Sequence, residues 1–157
     1  MNQKEIRFGI IGCGLMGREF ASAVSRWCHL TQMNVKPRIV AVSSASERSM
    51  KWFEENFDDI HLATTDYRQL LEDKQVDAVY CAVPHHLHEE FYINILQSGK
   101  HLLGEKPFGI NLTANTHIME VIQQNPSLFV RCASEFPFFP GAMKMMQWMK
   151  ERRFENV

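Results

Sequence analysis

Phe8-Gly9-Ile10-Ile11-Gly12-Cys13-Gly14-Leu15-Met16-Gly17 decides the reading of this chain. It runs from a short apolar stretch through G-x-G-x-x-G into a helical pattern. Gly12 permits a tight turn out of a strand. Gly14 has no side chain, so a pyrophosphate can approach the backbone. Gly17 lets the new helix pack closely on the strand. The free N–H groups and positive dipole end of that helix then face the phosphates. The plainer alternative is a Gly-rich turn with no ligand. The strand–turn–helix order favours the dinucleotide reading. Gly12, Cys13, Gly14, Leu15, Met16 and Gly17 are therefore the first candidate cofactor contacts.

Outward from this turn, strand and helix patterns alternate. Residues 6–11 read as a strand and 16–27 as a helix with Phe20, Val24 and Trp27 on one face. A polar connection over 29–37 leads to a β-branched strand over 38–42 and a helix over 47–57. Residues 60–63 read as a weak third strand, and Asp66 as the cap of a short helix carrying Leu70 and Leu71. The run 78–83 is continuously apolar, as in a strand covered on both faces. Pro84 opens a turn into a helix with Phe91, Ile95 and Leu96, and Gly99 is placed for a left-handed helix end. Strands over 101–103 and 128–133 and helices over 113–124 and 141–153 complete the pattern. The expectation is an α/β fold: a doubly wound, mostly parallel six-stranded sheet with helices on both faces.

Composition narrows the function classes. The chain has 157 residues, enough for one core, and a net charge of -1 from 17 basic and 18 acidic residues. That balance offers no field for nucleic acid and no polybasic membrane patch. No apolar run reaches the length of a membrane span, and no signal peptide is visible. Cys13, Cys28, Cys81 and Cys132 form no C-x-x-C pair, and Cys81 and Cys132 read as buried reduced thiols. A cytoplasmic protein without a disulfide framework is expected. His85, His86 and His88 lie close to Cys81, but no separate partner motif completes a metal site, so no metal is expected.

Three further motifs make the reading specific. They are Asp66-Tyr67-Arg68-Gln69-Leu70-Leu71, Val76-Asp77-Ala78-Val79-Tyr80-Cys81-Ala82-Val83-Pro84-His85-His86-Leu87-His88, and Ser98-Gly99-Lys100-His101-Leu102-Leu103-Gly104-Glu105-Lys106-Pro107-Phe108. With the glycine turn, they resemble the Gfo/Idh/MocA oxidoreductases over residues 6–140. The resemblance implies a Rossmann domain and hydride transfer between a nicotinamide and a sugar, polyol or cyclitol hydroxyl. It implies Ala82, Val83, Pro84, His85 and His88 beside the cofactor, and Glu105 and Lys106 at the next strand end. Lys106 is the implied catalytic residue, its ammonium hydrogen-bonding the reacting oxygen. A solvated charge is the alternative role for a lone Lys. Family members also tend to hold the Lys–Pro bond cis.

The chain departs from that pattern in three places. Many NAD-using members carry an acid at the end of the second strand, where this chain has Ser43-Ser44-Ala45-Ser46. Small hydroxyls at Ser43 and Ser44, with Arg48 one turn on, suit a 2′-phosphate, so NADP is favoured over NAD. Pro137-Phe138 stands where members often have an Arg-Phe pair, so no such Arg contact carries over. Family enzymes have a second α+β domain that holds much of the substrate pocket. Residues 1–134 then form the cofactor domain, and 135–157 link to the start of a second domain, its first strand opening after Glu151. The truncated chain is expected to be inactive alone.

Phe136, Phe138, Phe139 and Met143 add an apolar surface that favours a homo-oligomer. Ala142, Met145, Met146 and Met149 form a helical stripe whose simplest role is packing against the sheet. Two alternatives to the enzyme are a non-catalytic NAD(P)-sensing or partner-binding module on the same fold, and a methyltransferase, which the Glu105-Lys106-Pro107 block disfavours.

Overall fold

The computed structural model describes residues 4–31 and 33–153. The expectation of a strand opening after Glu151 falls partly on residues 154–157, outside the described residues. Strands and helices alternate as β1 (Lys4–Ile11), α1 (Leu15–Ser25), β2 (Val35–Ser43), α2 (Glu47–Asn56), β3 (Leu62–Thr64) and α3 (Tyr67–Glu72). They continue as β4 (Ala78–Cys81), α4 (His88–Gln97), β5 (His101–Glu105), α5 (Leu112–Gln124), β6 (Val130–Ala133) and α6 (Pro140–Lys150). Every strand pair is parallel, in the order β3-β2-β1-β4-β5-β6. The expected doubly wound sheet is therefore observed.

Alternation along the strands sorts the core into two layers. Ile10, Ile39, Val42 and Tyr80 pack with Ala21 and Val24 of α1 and with Met50 and Phe53 of α2. Ile11, Ala41, Val79 and Leu102 pack on the opposite face with Leu70 of α3, Ile95 and Leu96 of α4, and Ile118 of α5. Full burial of one such aliphatic or aromatic side chain contributes about 1.5–3 kcal/mol. The sheet is thus covered from both sides, and its carboxyl edge stays open at the β1–β4 boundary, where the strand order turns back. Ligands bind at that point in folds of this kind.

The amino edge is fastened by polar groups. Arg7 and Asp77 form a two-pronged pair at 2.7 and 3.0 Å, and the Arg7 backbone N–H donates to the same carboxylate at 2.9 Å. The Lys100 ammonium donates to the carbonyls of Asp73 and Val76, both at 2.8 Å.

Several boundaries differ from the sequence reading. β2 begins at Val35, so Lys36 and Pro37 belong to a strand and not to the connection. Proline is tolerated there because β3 pairs only with Ala41, Val42 and Ser43, which leaves one edge of β2 open at Pro37. β3 is shifted to Leu62–Thr64, and α1 ends at Ser25, with Trp27 in a separate 3-10 turn. β4 stops at Cys81, which frees Ala82 and Val83 to line the crevice. β5 runs on to Glu105. Asp66 caps α3 by accepting the Arg68 N–H at 3.1 Å, and Gly99 takes a positive φ of 78°, both as expected. α6 ends at Lys150, and its Met stripe does not pack on the sheet: Met145, Met146 and Met149 are all more than half exposed. A stripe at helical spacing fixes which residues share a face, not whether a partner surface lies opposite.

Candidate cofactor crevice and the Lys106 loop

Three strand ends meet at the open edge. The Gly12 N–H donates to the Ser43 carbonyl at 2.8 Å, and the Ala82 N–H donates to the Ile11 carbonyl at 2.8 Å. These bonds tie the turns after β1, β2 and β4 together. Gly12 has φ 100°, and a Cβ on it would lie 2.5 Å from the Ala82 carbonyl oxygen. A Cβ on Gly17 would lie 2.3 Å from the Gly12 carbonyl oxygen. Both glycines are therefore demanded by the fold. Gly14 is different: a Cβ there meets nothing within 4 Å. It faces open space at the N-cap of α1, where no side chain caps the free amides.

A crevice of about 400 Å³ opens beside this turn. It gathers Gly12, Cys13, Gly14, Ser43, Ser44, Ala82, Val83 and Pro84 among the expected residues. Ala45, Thr65, Tyr67, Leu87 and Phe91 also line it, beyond the residues expected from the sequence. Tyr67 and Phe91 stack at 4.2 Å to form part of the wall. Their spacing gave no sign of this, because they sit on different helices 24 positions apart in sequence.

Local geometry sorts the remaining candidates. The Cys13 thiol turns inward toward the Ser43 carbonyl at 3.6 Å, and burial pushes it up to about 12. The backbone of Cys13, not its sulfur, is what the crevice presents. Ser43 is only 1 % exposed. The accessible hydroxyl at this strand end is that of Ser44, which is 2.8 Å from the Ser49 hydroxyl. Leu15 and Met16 are exposed on the first turn of α1, and Arg48 is exposed on the first turn of α2. His85 is exposed as well. His88 is fully buried beneath the two loops that follow β4 and β5, so its ring faces protein carbonyls and not the crevice.

The loop after β5 is held by a buried network. The Tyr80 hydroxyl donates to Glu105 Oε1 at 2.7 Å, and the Lys106 backbone N–H donates to Glu105 Oε2 at 3.1 Å. Burial and the neighbouring carboxylate push the Tyr80 phenol well above its ordinary value. Tyr92 donates to the Glu105 carbonyl at 2.7 Å. Lys106 itself is exposed, and its bond to Pro107 is cis. Glu105 and Met16 line a second crevice of about 540 Å³, together with Tyr80, Phe20, Arg131 and Glu135. Lys106 follows Glu105 in sequence and is itself a lining residue of neither crevice. Among the described residues, no group of three or more His, Cys, Asp or Glu side chains could hold a metal ion. No helix among them is long and apolar enough to cross a membrane.

An all-parallel sheet in this strand order, with a glycine turn feeding α1 at the switch point, defines a Rossmann fold of the dinucleotide-binding type. Residues 6–131 match the model of the Gfo/Idh/MocA family, described as an oxidoreductase family with an NAD-binding Rossmann fold, and the chain belongs to that family.

The chain is 28% identical over 136 residues to the trans-1,2-dihydrobenzene-1,2-diol dehydrogenase of Mus musculus, covering 87% of this chain and 39% of that enzyme. It is 27% identical over 122 residues to an uncharacterized oxidoreductase of Bacillus subtilis (strain 168), YrbE, covering 78% of this chain and 33% of the relative. The fold is similar to the crystal structure of scyllo-inositol dehydrogenase from Lactobacillus casei with bound NAD(H) and scyllo-inositol. That match has a TM-score of 0.81 at 23% identity, and covers 96% of this chain and 42% of that one. The chain thus spans less than half the length of these relatives.

Proposed function

We propose that this chain is the cofactor-binding part of an NAD(P)-dependent oxidoreductase. The complete enzyme would move a hydride between the nicotinamide and a sugar, polyol or cyclitol hydroxyl. The observation that carries the reading is the contrast among the three glycines. Gly12 and Gly17 are filled in by neighbouring backbone, whereas Gly14 leaves clear space over the uncapped end of α1. A pyrophosphate fits such a place, because helix amides and dipole favour an anion and no Cβ intervenes.

NADP is the favoured cofactor. The strand end after β2, residues 43–46, carries no carboxylate to accept ribose hydroxyls or repel a 2′-phosphate; Ser44 lines the crevice there, and Arg48 is exposed on the first turn of α2. When bound, the nicotinamide supplies or accepts the hydride. Lys106 would then hold the reacting oxygen by a charge-assisted hydrogen bond and stabilise the negative charge that develops on it. Glu105 would keep the Lys106 backbone in place through the bond between them. Residues 135–153 would connect this domain to a substrate-binding part.

Calorimetric titration of the folded chain with NADPH and NADH tests the reading. Binding of both, tighter for NADPH, is expected. No binding of either at millimolar concentration overturns it, and tighter NADH binding overturns the preference. In the complete enzyme, Lys106→Ala should lower turnover far more than cofactor affinity.

A further inference from the structure

We propose that His88 is a positioning residue that straps the loop carrying Lys106 to the loop carrying Pro84, and that it does so protonated on both ring nitrogens. His88 starts α4 and is fully buried. Its Nε2 lies 3.0 Å from the Val83 carbonyl, and its Nδ1 lies 2.7 Å from the Pro107 carbonyl. One ring therefore touches the backbone of both loops that border the open edge of the sheet.

The hydrogen count follows from the partners. The Tyr92 hydroxyl is 2.7 Å from the Glu105 carbonyl and 3.2 Å from His88 Nδ1. A carbonyl only accepts, so the single phenolic proton goes to Glu105. Nδ1 then faces the Pro107 carbonyl and a Tyr92 oxygen whose proton is already committed. Only a proton on Nδ1 makes both contacts favourable. Nε2 faces a carbonyl alone and needs a proton as well. A neutral imidazole carries one such proton, and this environment asks for two.

Carbonyl oxygens, not a carboxylate, face the two ring nitrogens. Tyr92, from the same helix, stacks on the ring at 4.8 Å, and burial raises its phenol, which keeps it neutral. His85, from the turn before α4, meets the ring edge-on at 5.3 Å. Glu105 on β5 and Cys81 on β4 act on Tyr92, and Lys106 follows Glu105. Glu89 and Glu90, next on α4, are turned away to His117 and Tyr67.

The strap explains why a polar ring fills a core position at the start of α4. An apolar residue of that size would leave the Val83 and Pro107 carbonyls without donors. The positioning role rests on the part proposed above for Lys106, whereas the strap and its protonation do not.

The test is nitrogen NMR of the histidine rings in the labelled chain at pH 7.5. Among 7 histidines, one buried ring with both nitrogens in the protonated range is expected. The signature of a neutral tautomer at His88 overturns the proposal. Hydrogen exchange supplies a second reading. In His88→Gln, amides of residues 83–88 and 105–109 should exchange about tenfold faster or more while β1 and β2 keep their rates. Uniform acceleration across the sheet would reduce His88 to a core residue and overturn the positioning role. The wild-type NMR result stands even if the variant fails to fold. If NADPH and NADH both fail to bind the wild type, the proposed function falls, but the strap is still decided by these two measurements.

Discussion

The Tyr80 hydroxyl donates to Glu105 Oε1 at 2.7 Å, while the other oxygen of that carboxylate accepts the Lys106 N–H. Tyr80 is 3 % exposed and Glu105 is 8 % exposed. A carboxylate so largely buried depends on its donors. The phenol therefore connects the core of β4 to the backbone of the Lys106 loop, with Phe20 of α1 stacked on its ring at 4.2 Å.

Tyr80→Phe keeps the ring and its stack but removes one donor from a buried carboxylate. The expected loss is about 1–3 kcal/mol of stability, the cost of leaving such a group short of a partner. Urea unfolding monitored by circular dichroism measures it. An unchanged midpoint would mean that water replaces the phenol.

The three glycines of the turn should separate cleanly. Gly12→Ala and Gly17→Ala force a Cβ into backbone at 2.5 and 2.3 Å, so each should cost about 2 kcal/mol or more. The Cβ of Gly14→Val would meet nothing within 4 Å, and Gly14 already has φ -78°, so its cost should stay within about 1 kcal/mol, chiefly through the N-cap. Only this third variant should keep a melting temperature within a few degrees of wild type and lose dinucleotide binding in calorimetry. Retained binding in Gly14→Val would remove the pyrophosphate from this turn.

Most of the fold was legible because each strand and helix carries its own local signal. The glycine turn, the Asp66 cap and the Gly99 helix end each depend on a few neighbouring residues. Pro37 misled the reading, because its tolerance in β2 depends on how short β3 is, a fact of pairing and not of sequence. The crevice was legible where it is built from strand ends. Tyr67 and Phe91 were not, since two helices bring them together. His88 was expected beside a cofactor, yet its ring is committed to two carbonyls. Residue type and spacing could not reveal which way that ring points.

Asp77 should make the fold acid-sensitive. The Arg7 hydrogen bond is the main cause holding its carboxyl below the ordinary 3.8. A folded-state value below the unfolded one gives a contribution that is fully present above the unfolded value. It is lost as pH falls through the lowered folded value. Asp77→Asn should thus lower the urea midpoint at pH 7, and the gap to wild type should close as pH falls below about 4. A gap of constant size from pH 7 to pH 3 would exclude the ion pair as its origin.

His117 should act in the opposite sense. Its Nδ1 lies 2.6 Å from Glu89, and that hydrogen bond is the main cause raising the ring above its ordinary 6.5. A raised folded value gives a contribution present below the unfolded value and lost as pH rises through the folded one. The bond between α4 and α5 should therefore weaken above neutrality. Glu89→Gln should narrow its stability deficit as pH rises from 6 to about 9. The pair is exposed, so added salt should shrink the deficit at pH 6. A deficit that neither pH nor salt moves would assign the effect of Glu89 to helix packing.

The 135–150 segment predicts how this chain behaves in solution. Phe136 is 66 % exposed, Met143 56 %, Met145 52 % and Met149 60 %. A crevice of about 650 Å³ opens between the Phe136 turn and α6, lined by Pro137, Ala142, Met143, Met145 and Met146. Soluble monomers seldom show so continuous an apolar surface, and contact between copies would remove it from water. Methionine suits such a contact, because its unbranched side chain adapts to an irregular partner. The chain should therefore self-associate, with sedimentation velocity showing a larger species as concentration rises. The pair Met145→Glu and Met149→Lys, combined in one chain, should restore a monomer without moving the melting temperature, since α6 makes no core contact with the sheet. A wild-type chain that stays monomeric at high concentration would show that this surface is tolerated bare. Persistent association in the double variant would move the contact elsewhere.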